Sequence, residues 1–329
     1  MNIGILGSGL IVPDFLEAAS KIKEYNFHGI CATERSKERM EKLSKDYGIK
    51  HIYTNYDEML DNEDIDVIYV AVPNSLHYSF TKKALLKNKN IILEKPFTSN
   101  YDEAKELAEL AEEKGLYLFE AITNQYFPNY LKIKELLPEL GDVKIVQLNY
   151  SQYSSRYDKF KKGNVLPVFD PKKSGGALMD LNVYNIHFVL GLFGEPKSIN
   201  YFANIERGID TSGILVLNYP TFKCVAVGAK DCKAPTSINI QGDKGYIHSD
   251  CPANVLSTFT YGSNLGKEEE FNLNTNKERL YDELVAFKDI VLNKDFEKNL
   301  KQLKHSLNVM KILDEARKQA GIEIQNSKF

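Results

Sequence analysis

Net charge is nearly absent from this chain: 42 Lys and Arg against 45 Asp and Glu leave −3 over 329 residues. A surface so close to neutral offers no extended field for nucleic acid or an anionic membrane, which points to a small, uncharged ligand as partner. Cysteine is scarce. Cys31, Cys224, Cys232 and Cys251 are scattered and no pair has metal-ligand spacing, so no metal is expected. Buried, reduced thiols in a cytoplasmic protein are the expectation. No apolar run approaches the roughly 20 residues of a membrane span. The first strand follows Met1 directly, so no secretion signal is expected. Internal repeats and low-complexity tracts are missing as well. What remains is an ordinary globular composition, 43% hydrophobic and 26% charged, with length enough for two domains.

The first 120 residues alternate strand and helix. Short apolar runs near 2–6, 28–33, 51–53, 66–72, 90–93 and 116–120 read as strands covered on both faces, the clearest being Asp66-Val67-Ile68-Tyr69-Val70-Ala71-Val72. Helices fall near 10–25, 36–47, 75–87 and 99–114, the last with Ser99 as N-cap and Gly115 as stop. This is the pattern of a doubly wound parallel sheet. After residue 123 the pattern changes. A helix near 128–139, a strand near 142–153 and a glycine-flanked helix near 176–193 precede a stretch of strands from 196 to 273. Two helices near 276–292 and 297–320 close the chain. The second half reads as an α+β domain, a mainly antiparallel sheet with helices on one face. The boundary is placed so that 1–123 binds a dinucleotide and 124–329 binds substrate.

In Gly7-Ser8-Gly9-Leu10-Ile11-Val12 a strand empties into a glycine turn at a helix N-terminus. Turn amides and helix dipole together favour a pyrophosphate. Val12 stands where a small residue is usual, which weakens the signal. Glu34, at the tip of the second strand, is placed to accept both ribose hydroxyls and so favours NAD. Arg35, Ser36 and Lys37 follow at once, and such a cluster suits NADP. NAD is the preferred expectation and NADP the alternative. Pro73 and Asn74 leave the fourth strand at the edge where ligands bind, Asn74 offering an amide to the nicotinamide or a helix cap. His77 borders the same turn and suits structure better than catalysis.

Ile91-Ile92-Leu93-Glu94-Lys95-Pro96 carries an apolar strand into a charged pair and stops it with proline. A half-buried lysine beside a positively charged nicotinamide has its pKa depressed, and can relay a proton from a hydroxyl. A surface pair with Glu94 is the other reading. On the 176–193 helix, Gly176, Asp180, Tyr184, His187 and Gly191 fall in a stripe roughly 80° wide at helical spacing. Polar groups aligned on an apolar helix face a cleft or find partners. Tyr184 beside an ammonium becomes a usable acid or base, and Asp180 can orient it or hold a substrate hydroxyl. For His187 alone, a satisfied core histidine is the preferred reading.

These segments (GILGSGLIV, AVPNSLHYSF, ILEKPFTSNYDEA and SGGALMDLNVYNIHFVLGLFGEP) resemble the glucose–fructose oxidoreductase, inositol dehydrogenase and MocA superfamily of NAD(P)-dependent enzymes. The resemblance implies a Rossmann domain followed by an open-faced sheet domain, with that face pairing copies into a homodimer or homotetramer. It also implies Lys95 as the catalytic lysine. Most members carry histidine where this chain has Tyr184, and a tyrosine there is similar to the dihydrodiol dehydrogenase branch. A Tyr–Lys relay is therefore expected in place of a histidine mechanism. Sugars, polyols or inositols are the substrate class so implied. Asn124 and Gln125, with Tyr153 beyond them, are the candidate specificity contacts, beside Lys95, Asp180, Tyr184 and His187. Two other functions share the fold: a cofactor-sensing regulator without turnover, and an NAD-dependent glycosidase.

Overall fold

A computed structural model describes residues 1–323. In chain order it runs β1 (Asn2–Leu6), α1 (Ile11–Ala19), β2 (Asn26–Cys31), α2 (Lys37–Tyr47), β3 (His51–Tyr53), α3 (Tyr56–Leu60), β4 (Val67–Val70), α4 (His77–Leu86), β5 (Asn90–Glu94), α5 (Tyr101–Glu113) and β6 (Leu118–Ala121). Then come α6 (Pro128–Leu136), β7 (Val143–Ser151), α7 (Tyr157–Lys161), a π-helical turn (Leu178–Asn182) and α8 (Val183–Phe193). Seven strands follow: β8 (Ser198–Glu206), β9 (Ile209–Asn218), β10 (Lys223–Ala229), β11 (Ser237–Gly242), β12 (Gly245–Ser249), β13 (Phe259–Ser263) and β14 (Glu268–Phe271). Helices α9 (Tyr281–Leu292) and α10 (Phe296–Gln319) end the chain.

Two compact units result. One holds residues 1–121 and 278–307, the other 122–277 and the described residues from 308 onward. Assigning everything after 123 to the second half therefore misplaces α9 and the start of α10, which pack with the first unit. The reason lies in aromatic contacts no local pattern reveals. Phe287 of α9 stacks on Phe119 of β6 at 4.5 Å, and Tyr25 donates to the Leu284 carbonyl at 2.8 Å.

In the first unit all six strands are parallel, ordered β3-β2-β1-β4-β5-β6. Apart from the edge strand β3, the strands are buried almost throughout, as a sheet covered on both faces requires. Reversal of strand order at β1/β4 opens a crevice at the carboxyl edge. Helix α5 starts one residue later than expected. Asn100, not Ser99, accepts the Glu103 amide at 2.9 Å, and the Glu103 carboxylate reaches back to the Ser99 amide. This reciprocal bonding satisfies two orphan donors and outcompetes the serine.

The second unit is built on an eight-stranded sheet, β14-β13-β12-β11-β7-β10-β9-β8, antiparallel except for the β7–β10 pair. Its strands alternate buried and exposed residues, so one face takes the π turn and α8 while the other stays open. The apolar stretch 171–193 is long enough and apolar enough to cross a membrane, contrary to expectation. Yet 78% of its apolar window is buried within the fold, as in a core helix.

Candidate functional site

The glycine turn after β1 is shaped by backbone demands. Gly7 has φ +112°, and a Cβ there would stand 2.3 Å from the Ala71 carbonyl oxygen, so no side chain fits. Its amide donates to the Cys31 carbonyl at 2.8 Å, tying the turn to the end of β2. At Gly9 a Cβ would meet only that same carbonyl, at 4.0 Å, which leaves the space above it open. The N-terminus of α1 has no side-chain cap; the Val12 amide bonds back to the Gly9 carbonyl at a long 3.3 Å, and such a helix end favours an anion. Around this turn lies a cleft of about 990 Å³, walled by Gly7, Ser8, Gly9, Ala71, Val72 and Pro73 on one side. Thr33, Arg35, Ser36 and Arg39 wall the other. These residues fit a dinucleotide: uncapped amides for the pyrophosphate, a glycine floor and a basic rim.

Several residues expected at this cleft stand elsewhere. The Glu34 side chain is 71% exposed, 3.6 Å from Lys37, and does not line the cleft. It sits in a 3-10 turn, Glu34–Ser36, which rotates it away from the strand tip and turns Arg35 and Ser36 inward. Leu10 is 73% exposed and Ile11 opens α1; neither lines the cleft. Asn74 opens a 3-10 turn. His77 is buried, with its ring nitrogens 2.9 Å from the Pro96 carbonyl and 3.0 Å from that of Val72. Burial lowers its pKa despite both carbonyls. It braces two strand-end loops. Arg39 was not foreseen. Its guanidinium donates to the Gly9 carbonyl at 3.0 Å, and its only sequence signal is a second arginine one helical turn past Arg35.

At the end of β5, Glu94 accepts a 2.5 Å hydrogen bond from Tyr69, whose ring stacks on Phe15. Burial raises the Glu94 carboxyl above its usual range, while the Tyr69 hydroxyl and the Lys95 charge pull the other way. Lys95 thus leaves the sheet at its carboxyl edge beside a carboxyl group held in place. Glu103, Glu120 and Glu283 are further buried carboxyls of this unit, and burial raises that of Glu283 well above its usual range.

In the second unit the Ser174-Gly175-Gly176 turn feeds the π turn. Gly176 has φ +105°, and a Cβ would lie 2.1 Å from Asp210 Oδ1. Asp210 in turn accepts from the Leu178 amide at 2.6 Å and the Tyr201 hydroxyl at 2.8 Å, anchoring the turn to β9. Gly176→Ala is expected to cost about 3 kcal/mol of stability, from backbone strain and overpacking together, read from urea unfolding. A loss below about 0.5 kcal/mol would show the turn free to relax. The π turn carries Asp180, and its extra residue breaks the uniform helical phase assumed for the polar stripe.

Asp180 is a third exposed and ion-paired with Lys230 at 2.6 Å. Tyr184 is buried, its ring 6.3 Å from that of Tyr150. His187 is entirely enclosed, the position of a core side chain. Asn124 and Gln125, expected as substrate contacts, clamp this helix instead. Asn124 is fully buried and donates to the Tyr184 carbonyl at 2.8 Å, while Gln125 donates to that of His187 at 2.9 Å. Tyr130 adds a third such bond, to the Phe188 carbonyl, and only glycine at 191 leaves room for it. Tyr153 is exposed, bonded to Asp158 and Lys161. Among the described residues no cluster of His, Cys, Asp and Glu could hold a metal. The four cysteines are free; Cys31 and Cys224 are buried, burial raising the Cys31 thiol to about 12, whereas Cys232 is exposed.

Comparison with known proteins gives this geometry its setting. Residues 1–122 match the family described as "Oxidoreductase family, NAD-binding Rossmann fold", and residues 130–248 match the "GFO/IDH/MocA C-terminal domain". A scyllo-inositol 2-dehydrogenase (NADP(+)), IolU of Bacillus subtilis (strain 168), is 32% identical over 98% of both chains. A trans-1,2-dihydrobenzene-1,2-diol dehydrogenase of Xenopus tropicalis is 29% identical over 97% of this chain and 98% of that one. In fold, the chain is similar to KijD10, a 3-ketoreductase from Actinomadura kijaniata solved with NADP and TDP-benzene. The TM-score is 0.86 at 19% identity, covering 97% of each chain. With a parallel-sheet cleft suited to a dinucleotide and relatives along its whole length, this chain belongs to the GFO/IDH/MocA family and is an NAD(P)-dependent oxidoreductase.

Proposed function

We propose that this enzyme uses NADP to oxidise or reduce one carbinol carbon of a sugar-, polyol- or inositol-like substrate, with Lys95 and Tyr184 relaying the proton. The observation that carries this reading is the likeness, over the full length, to a scyllo-inositol 2-dehydrogenase (NADP(+)). The nicotinamide cofactor supplies a hydride acceptor or donor. The chain's own part is to bind, orient and move the accompanying proton. In this reading the Lys95 amine and the Tyr184 hydroxyl share the work of accepting and passing on the proton. Asp180 then accepts a second substrate hydroxyl, fixing which carbon presents its hydrogen.

Preference for NADP over NAD rests on the cleft rim. Arg35, Ser36 and Arg39 stand there and Glu34 does not, so the rim attracts a 2′-phosphate; the carboxylate that does line the cleft, Asp57, is ion-paired with Lys83 at 2.6 Å. Arg35→Ala is expected to weaken NADPH binding about 10- to 100-fold, the worth of a charge-assisted bond, with NADH affinity little changed. Fluorescence titration of the two reduced cofactors reads this directly. Equal losses for both would remove Arg35 from phosphate recognition. Glu34→Ala should leave the preference where it was.

The open face of the second unit's sheet carries a cross-strand apolar row, Phe202 opposite Ile214 opposite Val227, and we assign it to pairing of copies. Sedimentation of Ile214→Glu tests that. Function is tested by absorbance at 340 nm with scyllo-inositol, D-xylose and trans-1,2-dihydrobenzene-1,2-diol under both cofactors. Turnover of at least one with NADP supports the reading. Tight NADPH binding with no turnover on a wider polyol panel would make the chain a cofactor sensor.

A further inference from the structure

We propose that Lys230, at the end of β10, is the positioning residue that holds the Asp180 carboxylate ionised and in one orientation for substrate. The role rests on the dehydrogenase reading above, but its geometry lies wholly within the second unit. Lys230 is an unusual lysine. Its side chain is only 3% exposed, and its ammonium donates to Asp180 Oδ2 at 2.6 Å and to the Val168 carbonyl at 3.0 Å. The same nitrogen stands 4.9 Å from the centre of the Phe169 ring. Its backbone is fixed too: the amide donates to the Thr211 carbonyl at 2.8 Å, and the Ser154 amide donates to its own carbonyl at 2.9 Å. Nothing in this arrangement is free to swing.

The two members of the pair are buried unequally. Asp180 is 32% exposed against 3% for its partner, so the cation lies behind the carboxylate and the carboxylate faces outward. Stability alone does not explain such a pair, because apolar residues of similar volume usually serve a fold as well as a buried ion pair does. An ammonium fixed behind an accessible carboxylate keeps it charged as a ligand approaches and sheds water, when desolvation would otherwise drive it to protonate. It also selects one rotamer, and so one direction for the hydroxyl that Asp180 accepts. The π turn puts Asp180 opposite the end of β10, and Asp210 anchors the start of the same turn from β9.

On the elements packed against the turn, the other titratable groups are Tyr184 and His187 of α8, Asp210 of β9, Tyr150 and Lys144 of β7, and Lys223 and Cys224 of β10. Lys144, Lys223 and Cys224 belong to the opposite end of the sheet, where Lys223 pairs with Ile145. Lys230 is thus the cation next to Asp180 at this end.

The test has two arms on the full-length enzyme. In the first, the parent, Asp180→Asn, Lys230→Met and the double variant are assayed with NADP and scyllo-inositol. Lys230→Met should lower kcat about 30-fold and leave NADPH affinity within about twofold, while in the Asp180→Asn background the same change should cost less than about threefold. Additive losses would overturn the proposal. The second arm needs no turnover: carbon-13 labelled aspartate, with the Asp180 signal assigned by its disappearance in Asp180→Asn. Lys230→Met should raise the Asp180 titration midpoint by at least about one pH unit. An unmoved midpoint overturns the proposal even if the enzyme is active, whereas a silent parent with a shifted midpoint removes only the substrate reading. Should Lys230→Met not fold, Lys230→Gln removes the charge, keeps a donor for the Val168 carbonyl, and is read the same way.

Discussion

Replacing Lys95 by alanine is expected to lower kcat about 1000-fold while NADPH affinity changes by no more than about threefold. The size follows from what the amine is asked to do. General acid–base assistance typically contributes about 100- to 10,000-fold, and the expected loss lies within that range. Cofactor affinity should survive because the glycine turn, the uncapped start of α1 and the arginines of the cleft rim are untouched. Glu94 would stay in place, held by Tyr69. A deuterium isotope effect on the transferred hydrogen separates this from a folding defect. It should approach its full value in the variant, since chemistry then limits turnover. A drop below about tenfold would take Lys95 out of the proton path. Lys95→Arg should not rescue, because a guanidinium does not give up its proton near neutrality.

What could be read from the sequence follows from which forces are local. The parallel sheet was legible because strands covered on both faces must be apolar throughout, as Val67–Val70 and Ile91–Leu93 are. The glycine turn was legible for a similar reason: at Gly7 a Cβ would strike the Ala71 carbonyl, and a glycine at the tip of a first strand announces that close approach. Side-chain direction was not legible. Glu34 and Arg35 are neighbours in sequence, and a 3-10 turn decides which one faces the cleft. Asn124 and Gln125 show the same limit. Their amides suit a hydroxylated substrate on chemical grounds, yet they are taken by main-chain carbonyls about sixty positions away. The π turn was invisible because one extra residue changes no composition, and α9 was misplaced because its aromatic partner lies far upstream on β6. Lys230 left only a faint trace, a lysine ending the small, apolar run Cys224–Ala229.

Tyr184→Phe is expected to lower kcat about 100- to 1000-fold with the substrate KM little changed, since it removes a proton-transferring hydroxyl and leaves the ring's packing in place. The ring is buried beside Tyr150 and its carbonyl is held by Asn124, so the phenylalanine variant should fold as the parent does. A more telling change is Tyr184→His, which installs the residue that the family resemblance implies for most members. If position 184 carries the proton, imidazole should restore at least about a tenth of parental activity and move the titrating limb of kcat toward about pH 6.5, the ordinary range of histidine. The sign is fixed by the role. As base for alcohol oxidation, the group must be deprotonated, so activity rises with pH through its pKa and the histidine limb lies lower than the tyrosine limb. For carbonyl reduction the group must be protonated, and activity falls through the same value. Profiles of phenylalanine, histidine and parent enzymes in both directions therefore separate a proton carrier from a packing residue. A profile identical in shape for all three would assign the proton to another group.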